Sequence, residues 1–149
     1  MKKSMVVPEI VAGLYIILFL YTGIDKLLNV FTLEHQLLNY PLLSKLGGVV
    51  AWVLPFIELG IAALLFFPRT KLIGFYCAAA LMSVFTLYLA YMQLFDDRRP
   101  CTCGGFLKEL SWPQHTVFNL VFIILSIIAI RLTQNSIKNN GNQKVVAYT

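Results

Sequence analysis

The amino-acid sequence predicts an all-α, polytopic membrane protein built as a bundle of four transmembrane helices. Of its 149 residues, 58% are hydrophobic and only 13% are charged, about half the charged share of a typical soluble domain. Four segments are each long and apolar enough to cross a bilayer core, which requires about 20 residues. None shows the alternation of a membrane-spanning strand. The composition therefore excludes a soluble enzyme domain and a disordered chain.

The four apolar segments divide the chain into one membrane domain, residues 1–132, and a polar tail, residues 133–149, which we expect to be flexible. The first segment follows Lys2 and Lys3, as in a signal peptide, but it lacks the small-residue cleavage pattern of one. We therefore expect it to remain as a helix. The predicted spans are residues 6–28, 47–67, 72–95 and 112–132.

The basic residues lie at the ends of these spans and predict the orientation of the chain. More of them fall on the side of the termini than on the opposite side, and basic loops stay in the cytoplasm. The sequence therefore predicts a multi-pass protein of a bacterial-type inner membrane, with both termini and the tail cytoplasmic. Loops 29–46 and 96–111 would face outward. No basic patch interleaved with aromatic residues indicates nucleic-acid binding. The residues counted on the terminal side are Lys2, Lys3, Arg69, Lys71, Arg131, Lys138 and Lys144.

Cys101 and Cys103 form a C-x-C pair in the second outward loop, after Arg98 and Arg99. Such a pair can form a strained disulfide, and strained, exposed disulfides are the labile and catalytic ones. Two thiolates also suit Cu(I) or zinc, although His115 is the only further ligand nearby and we assign no metal site. An inert turn is the third interpretation. Cys77 lies about 27 Å of helix from the end of its span and is interpreted as a packing residue.

Polar residues inside the spans supply further candidates. His115 and Asn119 are four residues apart and share a helix face, so His115 can handle a thiol proton while Asn119 orients its ring or binds a carbonyl. Glu58 lies near the bilayer midplane and should face the bundle interior. Lys26, beside Asp25, can reach inward to Glu58 or extend outward to the interface. These residues predict either a ligand-binding or proton-relaying cavity, or a structural contact.

Three motifs in this order resemble the MauE/DoxX-like family of redox-associated membrane proteins. They are Gly23-Ile-Asp-Lys26, Pro55-Phe-Ile-Glu58-Leu-Gly60 and Cys101-Thr-Cys103-Gly104, with His115 and Asn119 at the polar positions that open the last helix. The resemblance covers nearly the whole chain up to Leu132. It implies a four-helix bundle tied to thiol–disulfide chemistry, since the family's namesake is associated with maturation of a disulfide-rich subunit of methylamine dehydrogenase.

The resemblance implies that Cys101 and Cys103 exchange directly with the thiols of a partner. From the residues, we expect this partner to be an extracytoplasmic thiol protein or thioredoxin-like domain, with His115 as the third catalytic residue. Such bundles are also similar to vitamin K epoxide reductase, which couples cysteines to a quinone. Here a C-x-C pair replaces C-x-x-C, and no second outward cysteine pair exists. The sequence therefore does not decide whether the chain uses a quinone as a cofactor, or whether it is itself a thiol–disulfide oxidoreductase. The alternatives are a binding or transport module, with Asp25, Lys26, Glu58 and Asn119 as its ligand site, and a structural subunit of a membrane complex.

Overall fold

The computed structural model describes residues 3–38, 45–95 and 112–146, and these residues form five α-helices. In lipid, every backbone N–H and C=O group must be satisfied within the chain, and a helix does so within one segment. The apolar runs of this chain therefore fold as helices. In chain order they are α1 (Lys3–Leu28), α2 (Val30–Leu38), α3 (Gly47–Phe66), α4 (Lys71–Phe95) and α5 (Trp112–Val146).

Four of these helices are long and apolar enough to cross a membrane, which confirms the predicted fold class. The described part of the chain contains no strand. The spanning segments lie within a few residues of the predicted ones at most of their ends. They are Val6–Leu28, Gly47–Phe66, Lys71–Tyr91 and Gln114–Lys138.

The four long helices form a bundle in which α1 packs against α3 and α5, and α4 packs against the same two helices. Tyr15 and Phe19 of α1, Leu65 of α3 and Phe75 of α4 are almost completely buried, and Ala129 of α5 completes this core. The residues that face lipid are large and apolar, so the bundle has an apolar outside as well as an apolar inside.

Contacts between the helices fix their directions. Lys71, at the start of α4, binds Glu9 near the start of α1, and Gln134 late in α5 donates to Tyr76 early in α4. Hence α1 and α4 run one way, and α3 and α5 run the other. We call the end where α1 and α4 finish, and where α2 lies, the α2 end. The opposite end, where Phe67 to Thr70 join α3 to α4, is the turn end.

The short helix α2 lies where the sequence predicts a loop, residues 29–46, and that prediction is wrong for residues 30–38. Val30, Leu33 and Leu37 of α2 pack around Ala51 of α3. Nine residues are too few to cross a bilayer, so a search for spans does not detect this helix.

Helix α5 continues past Leu132 to Val146. Most of the segment predicted as a polar tail, residues 133–149, is therefore helical. The flexibility of that tail, and the division of the chain at residue 132, stay predictions. The second predicted outward loop, residues 96–111, lies outside the described residues.

Candidate functional site

Lys26 of α1 and Glu58 of α3 form an ion pair inside the bundle. Their side chains keep only 6% and 2% of their surface exposed. Side chains on an α-helix tilt toward its N-terminus. Because α1 ends at the α2 end while α3 begins there, Lys26 tilts into the bundle and Glu58 tilts toward it. The inward direction, one of the two expected for Lys26, is the one observed.

Thr22 completes the surroundings of the Glu58 carboxylate. Its hydroxyl lies 3.3 Å from Oε2 of Glu58 and 2.9 Å from the carbonyl oxygen of Leu18, so one proton serves both acceptors. Lys26 donates to the other oxygen, Oε1. Both carboxylate oxygens therefore have a partner, as a buried charge requires.

Gly23 lets α1 approach α3 closely enough for this pair to form. A Cβ atom at this position would lie 3.2 Å from Cγ of Leu59 and 3.4 Å from the carbonyl oxygen of Pro55. Small residues at such crossings allow two membrane helices to come near each other. The Gly-x-x-Lys spacing thus places the close approach one turn before the lysine.

The ammonium group of Lys26 also meets two residues of the other long helices. Its Nζ lies 5.3 Å from the centre of the Phe85 ring of α4, a distance typical of cation–π contacts. The same charge lies within electrostatic range of the His115 ring of α5. All four spanning helices therefore meet at Lys26.

Helices α1 and α5 pair in matched layers. Tyr15 of α1 is hydrogen-bonded to Ser126 of α5, with 2.6 Å between the two oxygens. Starting from this contact, we count four, then three, then four residues forward along α1, and the same numbers of residues backward along α5. Because both helices rise 1.5 Å per residue and run antiparallel, residues reached by equal steps lie at equal heights. The layers pair Tyr15 with Ser126, Phe19 with Phe122, Thr22 with Asn119 and Lys26 with His115.

Asn119 and His115 occupy the two layers nearest the α2 end, as their shared face predicts. Asn119 is 4% exposed, and His115 is half-buried. Toward the described residues, the Asn119 side chain makes no hydrogen bond, and its expected role in orienting the His115 ring or binding a carbonyl stays a prediction. Of the two residues, His115 lies within electrostatic range of Lys26.

Asp25 lies apart from the polar cluster, which consists of Thr22, Lys26, Glu58, His115 and Asn119. Its carboxylate oxygen Oδ1 is 3.3 Å from the side-chain amide nitrogen of Asn29, which also donates to the Asp25 carbonyl oxygen. The motif Asp25-Lys26 thus divides its two charges: Lys26 points into the bundle, and Asp25 supports the junction between α1 and α2.

The cysteines divide between the core and the segment that joins α4 to α5. Cys77 is a free, half-buried thiol packed against the core. Cys101 and Cys103 lie outside the described residues. Among the described residues, no group of three His, Cys, Asp or Glu side chains could hold a metal ion.

A family model for the methylamine utilisation protein MauE matches residues 4–132. The chain belongs to the MauE family. No curated protein and no solved structure matches it significantly. This MauE-family chain is thus a multi-pass membrane protein of a family associated with methylamine utilisation, and the matched range includes every residue of the polar cluster and the C-x-C pair.

Three residues of the candidate site in this MauE-family chain were not among the sequence candidates. Tyr15 and Thr22 share the α1 face of Lys26 through the same four- and three-residue spacing, and that spacing is the signal that could have found them. Phe85 has no such signal, because its position over Lys26 depends on how α4 packs.

Proposed function

We propose that this MauE-family chain is a membrane thiol–disulfide protein whose Cys101 and Cys103 exchange with an extracytoplasmic thiol protein. One observation carries the proposal. Phe95 and Trp112, which flank the C-x-C segment, end α4 and begin α5 at the α2 end of the bundle. His115 and Lys26 lie at that same end. A proton acceptor and a cation therefore stand where the segment joins the bundle.

The exchange transfers two electrons. A thiolate of the partner attacks one sulfur of the Cys101–Cys103 disulfide and forms a mixed disulfide, while the other cysteine leaves as a thiolate. The second partner thiolate then displaces the first cysteine. The partner gains a disulfide and this chain becomes a dithiol, taking up two protons; His115 relays them. A thioredoxin-like domain in its disulfide form reoxidises the pair by the reverse exchange.

Two features of the sequence favour this chemistry. Arg98 and Arg99 precede the pair, and cations stabilise a thiolate. The distribution of Lys and Arg favours an orientation with cytoplasmic termini and an extracytoplasmic C-x-C segment, in a bacterial-type inner membrane. Disulfides persist on that side of the membrane.

Single cysteine variants in intact cells test the proposal. Cys101→Ser and Cys103→Ser each remove one sulfur, and Cys77→Ser is a matched control because Cys77 packs in the core. A membrane-impermeant maleimide should label Cys101 and Cys103 in the Cys77→Ser variant, and more strongly after reduction. One of the two single variants should accumulate a mixed disulfide with the disulfide form of the thioredoxin-like domain, visible as a reducible shift on a gel, because its remaining thiolate attacks that disulfide and no second cysteine resolves the product.

The outcomes of this experiment are distinct. Labelling only in inside-out vesicles would reverse the proposed orientation and remove the oxidising compartment. Full function in the double variant Cys101→Ser/Cys103→Ser would remove the redox role.

A second candidate function is a binding or transport module centred on Lys26 and Glu58. It is favoured by the burial of this ion pair, since charges inside a membrane protein commonly mark ligand or ion sites. In that case Glu58→Gln abolishes function while the double cysteine variant retains it. If both variants retain function, the chain is a structural subunit.

A further inference from the structure

Asn119 carries an unsatisfied amide in the interior of the bundle. Its side chain makes no hydrogen bond toward the described residues, although it is 4% exposed. Every completely sealed side-chain nitrogen or oxygen atom in that part of the chain has a hydrogen-bond partner. The amide atoms of Asn119 have no such partner, so they are not sealed within the described residues.

The two layers nearest the α2 end are rich in hydrogen-bonding groups. Thr22, at the height of Asn119, already divides its proton between Leu18 and Glu58. Lys26 donates one ammonium hydrogen to Glu58 and has two further hydrogens that can be donated. The neutral His115 ring has one nitrogen that donates and one that accepts. A water molecule, which donates and accepts, satisfies such a mixed set.

Exposure on the inner face of α5 increases toward the α2 end. Along the inner face of α5, exposure rises from 0% at Ser126 to 4% at Asn119, and His115 is half-buried. On the side of Asn119 that faces the turn end, the rings of Phe19 and Phe122 pack against Tyr15, with centroids 5.4 and 5.0 Å from the centroid of the Tyr15 ring. This aromatic layer separates the polar residues from the apolar core at the turn end.

We propose that the four long helices enclose a hydrated vestibule that opens at the α2 end, reaches Asn119 and ends at the Phe19–Phe122 layer. Its occupant is water, which connects the Lys26–Glu58 pair with one side of the membrane only. Protons can thus reach the ion pair from the α2 end, but no polar path continues to the turn end. The vestibule is independent of the thiol chemistry proposed above.

Accessibility of single thiols to silver ions tests this vestibule. Silver ions are close to water in size and react with thiolates, which form where water reaches. Each variant is a full-length chain in which Cys77, Cys101 and Cys103 are replaced and one other residue is changed to cysteine. After exposure to silver the protein is denatured, and a maleimide labels the thiols that silver has not blocked. Asn119→Cys and Thr22→Cys test opposite walls. Ser126→Cys lies below the aromatic layer, and Val117→Cys and Leu120→Cys face lipid on the same helix.

We expect silver to block Asn119→Cys and Thr22→Cys at least about tenfold faster than the other three variants, and from the α2 side only. Each variant is first shown to be folded by circular dichroism and size exclusion, and either wall variant alone is sufficient for the test. Reaction at Asn119 and Thr22 as slow as at Val117 would overturn the vestibule. Equally fast reaction at Ser126, or from both sides, would replace it with a continuous channel. Because the native cysteines are absent, neither result depends on the redox proposal.

Discussion

Lys26 and Glu58 form a buried ion pair that joins the last turns of α1 to the middle of α3. Glu58 lies 11 residues after Gly47, about 16 Å along α3, so its charge is placed deep in the bundle. Two charges leave water at considerable cost, and their attraction offsets this cost only while both are present. The pair therefore makes the packing of α1 against α3 depend on both residues at once.

Removing one charge of the pair should destabilise the protein more than removing both. We expect Lys26→Met or Glu58→Gln to lower the free energy of unfolding by about 3 kcal/mol each, since each leaves an unpaired buried group. The double variant should lose clearly less than the sum. Denaturant unfolding of the purified protein, followed by circular dichroism, measures all three.

The ion pair at the turn end is the control, because one of its two partners is exposed. Lys71 and Glu9 are 2.6 Å apart, but the Glu9 side chain is 60% exposed. Glu9→Gln should therefore cost at most about 1 kcal/mol. Equal losses in Glu9→Gln and Glu58→Gln would show that burial of the Lys26–Glu58 pair has no energetic consequence.

The hydrogen bond between Tyr15 and Ser126 should couple α1 to α5. The Tyr15 hydroxyl is also 2.8 Å from the carbonyl oxygen of Phe122, so Tyr15→Phe removes two contacts and Ser126→Ala removes one. We expect a coupling free energy of about 0.5–1.5 kcal/mol in the double-mutant cycle, the usual range inside membrane bundles. Additive single effects would mean that this contact does not hold the two helices in register.

The sequence is sufficient to predict the four spanning helices. Unpaired backbone groups are excluded from lipid, so each span must be a helix, and such a helix is recognised in the sequence by the length of its apolar segment. The sequence is not sufficient to predict α2. That helix is stabilised by contact with Ala51, a tertiary interaction that apolar length does not record. The extension of α5 through Asn139 and Asn140 likewise runs against the weak helix preference of asparagine.

For the polar cluster, the sequence identifies the charged residues but not their geometry. An intramembrane glutamate must face the interior, so Glu58 could be named in advance. The direction of Lys26 could not, because it depends on the distance between α1 and α3 at Gly23. The position of Phe85 over Lys26 depends on the packing of a third helix and leaves no pattern in the chain.

Two glycines should respond differently to the same substitution. A Cβ atom at Gly74 would lie 2.9 Å from Cγ and 3.0 Å from the backbone nitrogen of Leu65, whereas nothing lies within 4 Å of one at Gly60. We expect Gly74→Ala to cost about 1–3 kcal/mol through overpacking. Gly60→Ala should be neutral or stabilise by up to about 1 kcal/mol, since alanine favours a helix. The unfolding midpoints of the two variants test this prediction. Destabilisation by Gly60→Ala but not by Gly74→Ala would contradict the α3–α4 packing.

The docking of α2 should depend on the small size of Ala51. This residue is 0% exposed and lies under Val30, Leu33 and Leu37, so a leucine there would push α2 away from α3. We expect Ala51→Leu to raise amide hydrogen exchange in residues 30–38 by about tenfold or more, since helices this short are marginal without tertiary contacts. Ala63→Leu, at an exposed position of the same helix, is the matched control and should leave this exchange unchanged. If both variants exchange like the native chain, α2 is held by something other than its contact with Ala51.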